Sequence, residues 1–411
     1  SDAGDVNGDG IADLLIGAQS AGANGLNSGA SYVVFGRDTA ADGDFPAAIE
    51  LSALDGSNGL TINGLDAWDG LGNSVSGAGD INGDGVADVI LGADGAYSNG
   101  PFSGASYVVF GRDTASEGDF TAVIELSALD GSNGFALNAA QSFDALGRSV
   151  SGAGDMNGDG IADAIIGAFT ADANGTKSGA SYVVFGRDAA VEGSFPAAVD
   201  LAALDGSNGF VINGVSESDR SGNSVSDTGD INGDGIADVL IGAYTADPNG
   251  GASGASYVVF GRDTAADGDF PAAIELSALD GSNGFTINGV SAGDLSGWSV
   301  SGAGDINRDG VADIIIGALW ADTNGTDSGA SYVVFGGQEL SDFAQPIVQC
   351  PGDVNGDNVA DITVVSPDGN IWIKGLNGGL VSQFNLTDIN TVVDVETMPD
   401  INANNSPELV A

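Results

Sequence analysis

Asp5, Asn7 and Asp9 alternate in the short stretch ahead of Gly10, and Asp13 follows four residues after Asp9. Three oxygen-bearing side chains on alternate positions of a tight turn point to one centre, and oxygen-only donors suit a hard cation such as calcium. Gly10 supplies the reversed backbone that such a turn needs. The carbonyl of Ile11 and the carboxylate of Asp13 then complete the expected ligand set. The pattern GDVNGDGIAD, which begins at Gly4, returns at Gly79, Gly154, Gly229 and Gly304, a step of 75 residues each time. The corresponding ligand sets are Asp80, Asn82, Asp84, Val86, Asp88; Asp155, Asn157, Asp159, Ile161, Asp163; Asp230, Asn232, Asp234, Ile236, Asp238; and Asp305, Asn307, Asp309, Val311, Asp313. A sixth set, Asp353, Asn355, Asp357, Val359 and Asp361, follows at a shorter spacing, and a decayed seventh begins at Pro399. Five or six calcium ions are expected. Arg308 replaces glycine in the fifth loop and is expected to weaken it.

The EF-hand shares the D-x-N-x-D-G opening but needs an acid at loop position 12. Here Ile16, Leu91, Ile166, Ile241, Ile316 and Val364 stand at that position, which excludes it.

The elements that position these loops repeat with them. An apolar run follows each long-unit loop at once, as in ADLLIGA from Ala12 or ADVILGA from Ala87, and reads as a strand. GASYVVFG, from Gly29, Gly104, Gly179, Gly254 and Gly329, reads as another. ELSALDGSNG and its variants, from Glu50, Glu125, Asp200 and Glu275, supply a third stretch, with at most one helical turn around ELSAL. The segment leading into the next loop, such as NSVSGAG from Asn73, completes about four strands per unit. Four-stranded units in series are the sequence cue of a β-propeller. Five long repeats span residues 1–336; residues 337–411 hold two shorter, degenerate ones that complete the same ring. Removing one ligand, such as Asp84, is expected to disturb mainly its own blade.

Composition narrows the function. With 58 acids, 9 bases and a net charge of −49, the chain does not suit nucleic acid or anionic membrane. The absence of histidine removes the commonest general base, and a single cysteine removes any intrachain disulfide. No apolar run is long enough to span a membrane as a helix. The chain opens on Ser1 rather than Met, which agrees with removal of a secretion signal.

The segments LGxSVSGAGD (Leu71 to Asp80, Leu146 to Asp155), the metal loop, the Gly17–Ala18 step and the Phe35–Gly36 pair with their equivalents resemble the FG-GAP repeat family, the repeats of the integrin α-subunit propeller and its bacterial relatives. The family's proline after Gly-Ala is absent; Gln19, Asp94, Phe169, Tyr244 and Leu319 stand there. The resemblance implies an all-β, seven-bladed β-propeller with calcium loops between the first and second strands of its blades. It implies a non-catalytic, extracellular protein that binds a protein or glycan ligand at the cell surface.

Trp68, Trp298, Trp320, Trp372, Tyr97 and Tyr244 are placed at or near loops, where aromatic side chains can anchor a partner or pack between blades. A second reading is a filament, sheath or surface-layer subunit that binds copies of itself. The first unit reads as lacking its first strand, and the C-terminal segments 391–398 and 407–411 could be donated to a neighbour. A third reading, the accessory propeller of a secreted hydrolase, would leave catalysis to carboxylates alone. Asn174, Asn324 and Asn385 match the N-glycosylation pattern.

Overall fold

The computed structural model describes residues 1–337, apart from residue 324 and the side chain of residue 42, and beyond these the strand backbones 348–352, 361–365, 370–375, 380–385, 396–398 and 408–410. The sixth loop, at 353–360, and most of the seventh unit lie outside the described residues.

Each long unit folds as an antiparallel sheet. In the second unit the order is Ser74–Gly79, Asp88–Ala93, Ala105–Val109 and Gly134–Asn138, each strand pairing with the next. The third unit repeats it with Leu146–Gly154, Asp163–Ala168, Ala180–Val184 and Gly209–Asn213. The fourth uses Ser224–Gly229, Asp238–Ala243, Ala255–Val259 and Gly284–Asn288. The first unit does have a first strand, contrary to expectation: Asp2–Gly4 pairs with Asp13–Ala18. Beyond the fifth unit, Val348–Gly352, Asp361–Val365, Asn370–Gly375 and Leu380–Asn385 form a further four-stranded sheet.

The first strands of successive units lie side by side, so the sheets are arranged as the blades of a β-propeller. Serine hydroxyls tie these inner strands together: Val150, Val225 and Val300 each donate their backbone N–H to Ser74, Ser149 and Ser224 of the preceding unit at 3.0 Å. The second strand of the second unit, DVILGA, is buried on both faces, as befits a strand held between two blades. The core accordingly lies between sheets. Ile90, Val108, Phe135 and Leu137 of the second unit meet Leu146, Val150, Ala164 and Ile166 of the third. The glycine of the Gly-Ala step in each of the first four units marks a close approach between blades. A Cβ on Gly92 or Gly167 would lie 2.1 or 2.0 Å from the carbonyl oxygen of Gly147 or Gly222 in the next blade.

The fourth strand is not the ELSAL stretch. Leu51–Ala53, Leu126–Ala128, Leu201–Ala203 and Leu276–Ala278 form single 3₁₀ turns, and the strand is the segment that follows: GLTIN, GFALN, GFVIN and GFTIN in turn. The residues just before three of these turns do something else. Val123–Glu125, Ala198–Asp200 and Ala273–Glu275 each add in parallel to the outer strand of the preceding unit. Each insert therefore clamps two blades together.

Candidate metal centre

The proposed ligand residues are brought into one turn in all five described loops. In the first, the backbone N–H of Asp9 donates to Asp5 Oδ1 (3.0 Å) and Asn7 Oδ1 (2.9 Å), and Gly10 N–H donates to Asp5 Oδ2 (2.7 Å). Ile11 N–H donates to Asp9 Oδ1 at 2.8 Å, and Asn7 Nδ2 donates to Asp9 Oδ2 at 3.0 Å. The same network returns around Asp80, Asp155, Asp230 and Asp305. Val86, Ile161, Ile236 and Val311 stand between turn and strand as Ile11 does, their N–H groups held by Asp84, Asp159, Asp234 and Asp309. Among the described residues, no three acidic groups converge into a ligand cluster; the carboxylates are held by backbone N–H groups instead.

Gly10 adopts φ +86°, the left-handed conformation expected of it. Arg308 is forced to φ +66° where the other loops have glycine, yet Arg308 N–H still donates to Asp305 Oδ1 at 2.6 Å. The fifth loop thus keeps its shape against a local backbone strain of about 1 kcal/mol.

The last aspartate has a role the sequence did not disclose. Asp13 Oδ2 accepts from Val6 N–H and Oδ1 from Gly36 N–H, both at 2.8 Å, joining the loop to the end of the third strand. Gly111, Gly186, Gly261 and Gly336 do the same for Asp88, Asp163, Asp238 and Asp313. This explains the glycine of each Phe-Gly pair: a Cβ on Gly36 would lie 2.4 Å from Ala12 O. Burial pushes the Asp13 carboxyl up to about 6 and that of Asp238 up to about 7, with the charges of the two loop aspartates adding to each. Asp88 and Asp163 shift upward for the same reasons, burial first. A cation placed among these carboxylates would relieve both effects.

The first three loops are also covered by the next unit's insert, a contact for which the recurrent Arg-Asp-Thr/Ala triplet was the available signal. Thr114 donates both its N–H and its hydroxyl to Asn7 O at 3.0 Å, and Arg112 N–H donates to Val6 O. Asp113 caps the helical turn Thr114–Glu117 that sits there. Arg187 and Ala189 repeat the contact on Ile81 and Asn82.

A family model described as "FG-GAP repeat" matches residues 1–34, 71–109, 222–259 and 296–334. The chain carries FG-GAP repeats. The third repeat lies outside these matches, but its sheet has the same four strands in the same order. Integrin alpha pat-2 of Caenorhabditis briggsae is 36% identical over 110 residues, which cover 27% of this chain and 8% of that protein. The chain is thus integrin α-like over that stretch and spans less than a tenth of the relative's length. No helix among the described residues is long and apolar enough to cross a membrane.

The other expected sites divide. Tyr244 is buried, packs edge-on against Trp298 at 4.8 Å and bonds Arg220 through its hydroxyl, so it is an inter-blade packing residue. Trp68, Tyr97 and Trp320 are exposed, and the side chain of Trp372 lies outside the described residues. Two aromatics that sequence reading passed over join Tyr97: Phe102 at 5.3 Å and, beyond it, Phe143 at 6.4 Å. Asn174 donates its amide to Gly214 O and Glu275 Oε2, bonds that a glycan on that nitrogen would displace. The side chains of Asn324 and Asn385 lie outside the described residues.

Proposed function

We propose that the chain is a calcium-stabilised, non-catalytic binding propeller of seven blades that works outside the cell, in adhesion to a protein or glycan. The observation that carries the binding role is the exposed aromatic cluster. Tyr97, Phe102 and Phe143 are 54%, 51% and 61% exposed, yet Phe102 packs against both others, tilted on Tyr97 and stacked on Phe143. The third repeat has Asp172, Lys177 and Ser218 at the matching positions, so the repeat itself does not require aromatics there. Phe102 and Phe143 also hold φ of +48° and +68°, a backbone state that bulky side chains seldom adopt.

Topology places this cluster away from the metal loops. In an antiparallel sheet the loops after the first and third strands emerge at one end, and those after the second and fourth at the other. Tyr97 and Phe102 follow a second strand and Phe143 a fourth, whereas every metal loop follows a first. The calcium face would thus stabilise the ring, while the opposite face carries the ligand.

The fit of calcium rests on donor chemistry. Asp5, Asn7, Asp9, the Ile11 carbonyl and Asp13, with their equivalents, offer only hard oxygen ligands. A carboxylate oxygen that accepts one N–H keeps a further lone pair. Bound calcium would offset most of the charge of loops that hold three carboxylates, none of them paired with a base among the described residues.

Replacing Tyr97, Phe102 and Phe143 by Asp, Lys and Ser, the residues of the third repeat, tests the reading. The variant should fold with an unchanged melting curve and lose binding in a calcium-containing glycan array and a cell-adhesion assay. Undiminished binding in both would refute the assignment.

A further inference from the structure

Trp68, Phe143, Ser218 and Gly293 occupy one position of the repeat, and all four hold a positive φ: +77°, +68°, +71° and +91°. The local fold sets that conformation. In each unit the backbone N–H of this residue donates to a carbonyl of the loop after the second strand: Leu26 O, Pro101 O, Thr176 O and Gly251 O, at 2.9 to 3.0 Å. Glycine suits such a position, whereas a bulky aromatic side chain is strained there. Burial does not offset the strain, because Trp68 and Phe143 are 56% and 61% exposed. The fold therefore gives no reason for aromatic residues at these two places.

The two aromatics belong to one surface. The carbonyl oxygen of Trp68 presses on the second unit at Gly95, where a Cβ would lie 2.2 Å from it, and Tyr97 follows two residues later. From Tyr97 the rings continue to Phe102, tilted by 43°, and on to Phe143, inclined by 27°. Ser142 Oγ donates to Asn99 O and Ala145 N–H to Phe102 O, which fixes the two loops that carry these rings. The rings lie in series and do not close around a point, so they form no cage for an ammonium group. Ser98, Gln141 and Ser142 stand exposed and uncharged at the rim. Asp66 and Asp172, exposed beside the rings, are acids, and the charge of Asp172 reaches Asp144. Arg148, on the same face, is engaged by Asp94 Oδ2 at 3.6 Å and by the Phe169 ring at 5.5 Å.

Size and charge set the class of partner. An aromatic side chain covers about 150–250 Å², so four rings at half exposure offer roughly 400 Å² together. A stable protein interface buries about 800 Å² on each partner, roughly twice as much. We infer that this surface takes a neutral glycan chain, lying along Trp68, Tyr97, Phe102 and Phe143 with the apolar C–H faces of its sugar rings on the aromatic ones. The uncharged amide and hydroxyls of the rim match sugar hydroxyls. A net charge of −49, with Asp66 and Asp172 alongside, repels a uronate or sulfate chain. The track ends at the third unit, where Lys177 and Ser218 replace Phe102 and Phe143. This inference rests on the binding role proposed above for this face and names the ligand class.

The test is affinity electrophoresis of the full chain, with millimolar calcium, through gels cast with hydroxyethylcellulose, laminarin, galactomannan or xylan, and with carboxymethylcellulose as the acidic counterpart. At least one neutral polymer should retard the protein, and carboxymethylcellulose should not. Calorimetric titration with oligosaccharides of the retarding polymer should show affinity rising with length as more rings are spanned. Trp68→Ser and Phe143→Ser, which follow the Ser218 precedent and so keep the turn, should each weaken binding of the longest oligomer by about tenfold or more. Trp320→Ser, at an exposed tryptophan of the fifth unit, should leave it unchanged. Retardation by none of the neutral polymers overturns the inference, as does equal retardation by carboxymethylcellulose or retardation that survives both substitutions. The binding role is judged separately, by cell adhesion of the triple variant at Tyr97, Phe102 and Phe143. Adhesion lost by that variant, with no polymer bound by wild type, would leave the binding role standing and point to a protein partner. Adhesion kept, with no polymer bound, would remove both.

Discussion

Asp238→Asn removes the charge of a loop's last proposed ligand while keeping its shape, and it separates a structural aspartate from a metal-binding one. Asp238 is fully buried and accepts from Ile231 N–H at 3.0 Å and Gly261 N–H at 2.9 Å. Asp230 and Asp234 are the nearby charges that disfavour its ionised form, after burial itself. Without metal, the wild-type loop bears an effective penalty of several kcal/mol for a buried, unpaired carboxylate. Asparagine removes that penalty, but its NH₂ group must face one of the two N–H donors, at about 1–3 kcal/mol. The two terms oppose, so in chelator the variant should be as stable as wild type or slightly more so.

If the loops bind calcium as proposed, a few millimolar of the ion should reverse the balance. A site with a dissociation constant on the order of 0.1–1 mM stabilises the wild-type fold by about 1–2 kcal/mol per loop. The variant forfeits most of that gain at one loop of five. Thermal melts followed by circular dichroism, in EGTA and in calcium, should show a calcium-dependent gap between the two proteins and little gap without it. Magnesium, which tolerates this many protein ligands poorly, should restore only part of it. An equal loss in both buffers would mean that Asp238 is purely structural and would refute the reasoning.

Two further substitutions probe the scaffold. Gly167→Ala places a Cβ 2.0 Å from Gly222 O across the blade interface and should cost about 2 kcal/mol or more in a denaturant titration. Burial, with a smaller contribution from Asp172, pushes the Asp144 carboxyl up to about 6. Its folded value lies above its unfolded one, so its contribution favours folding at low pH and is lost as pH rises from about 4 to about 6. Asp144→Asn, which can still accept from Gln141 N–H, should therefore melt higher than wild type at neutral pH, and the difference should vanish near pH 4.

The loops and the second and third strands were legible because their signal is local. A turn with oxygens on alternate residues and a β-branched run bounded by glycine declare themselves within ten residues. The fourth strand was not, because GFTIN is short and opens on glycine, while the neighbouring ELSAL offers more apolar residues. Leu126, Leu201 and Leu276 of that stretch are indeed buried, but in 3₁₀ turns rather than in strands. The parallel inserts were invisible for a different reason. Val123–Glu125 pairs with Thr61–Asn63, about sixty residues away and in another unit, and no local periodicity encodes a partner that distant. The aromatic cluster escaped notice because Phe102 and Phe143 look ordinary in sequence and become unusual only once both prove exposed and adjacent.

The insert also changes what a single-loop mutation should do. From the repeat alone, Asp84→Ala is expected to disturb its own blade. Yet the second loop holds the third unit's insert: Arg187 N–H donates to Ile81 O at 3.0 Å and Ala189 N–H to Asn82 O at 2.9 Å. Asp84 shapes that turn by accepting from Val86 N–H and Asn82 Nδ2. Once the turn relaxes, the path from Arg187 to Asp200 loses its footing, and with it the parallel strand Ala198–Asp200 on the outer edge of the second blade. The second unit's own insert, at residues 112–125, rests on the first loop and should be spared. Hydrogen exchange by mass spectrometry distinguishes the two cases. Asp84→Ala should raise exchange in the loop around Ile81 to Gly85 and in residues 187–200, with residues 112–125 near wild type. Enhanced exchange confined to the loop and its adjoining strands would show that the insert contributes no coupling between blades.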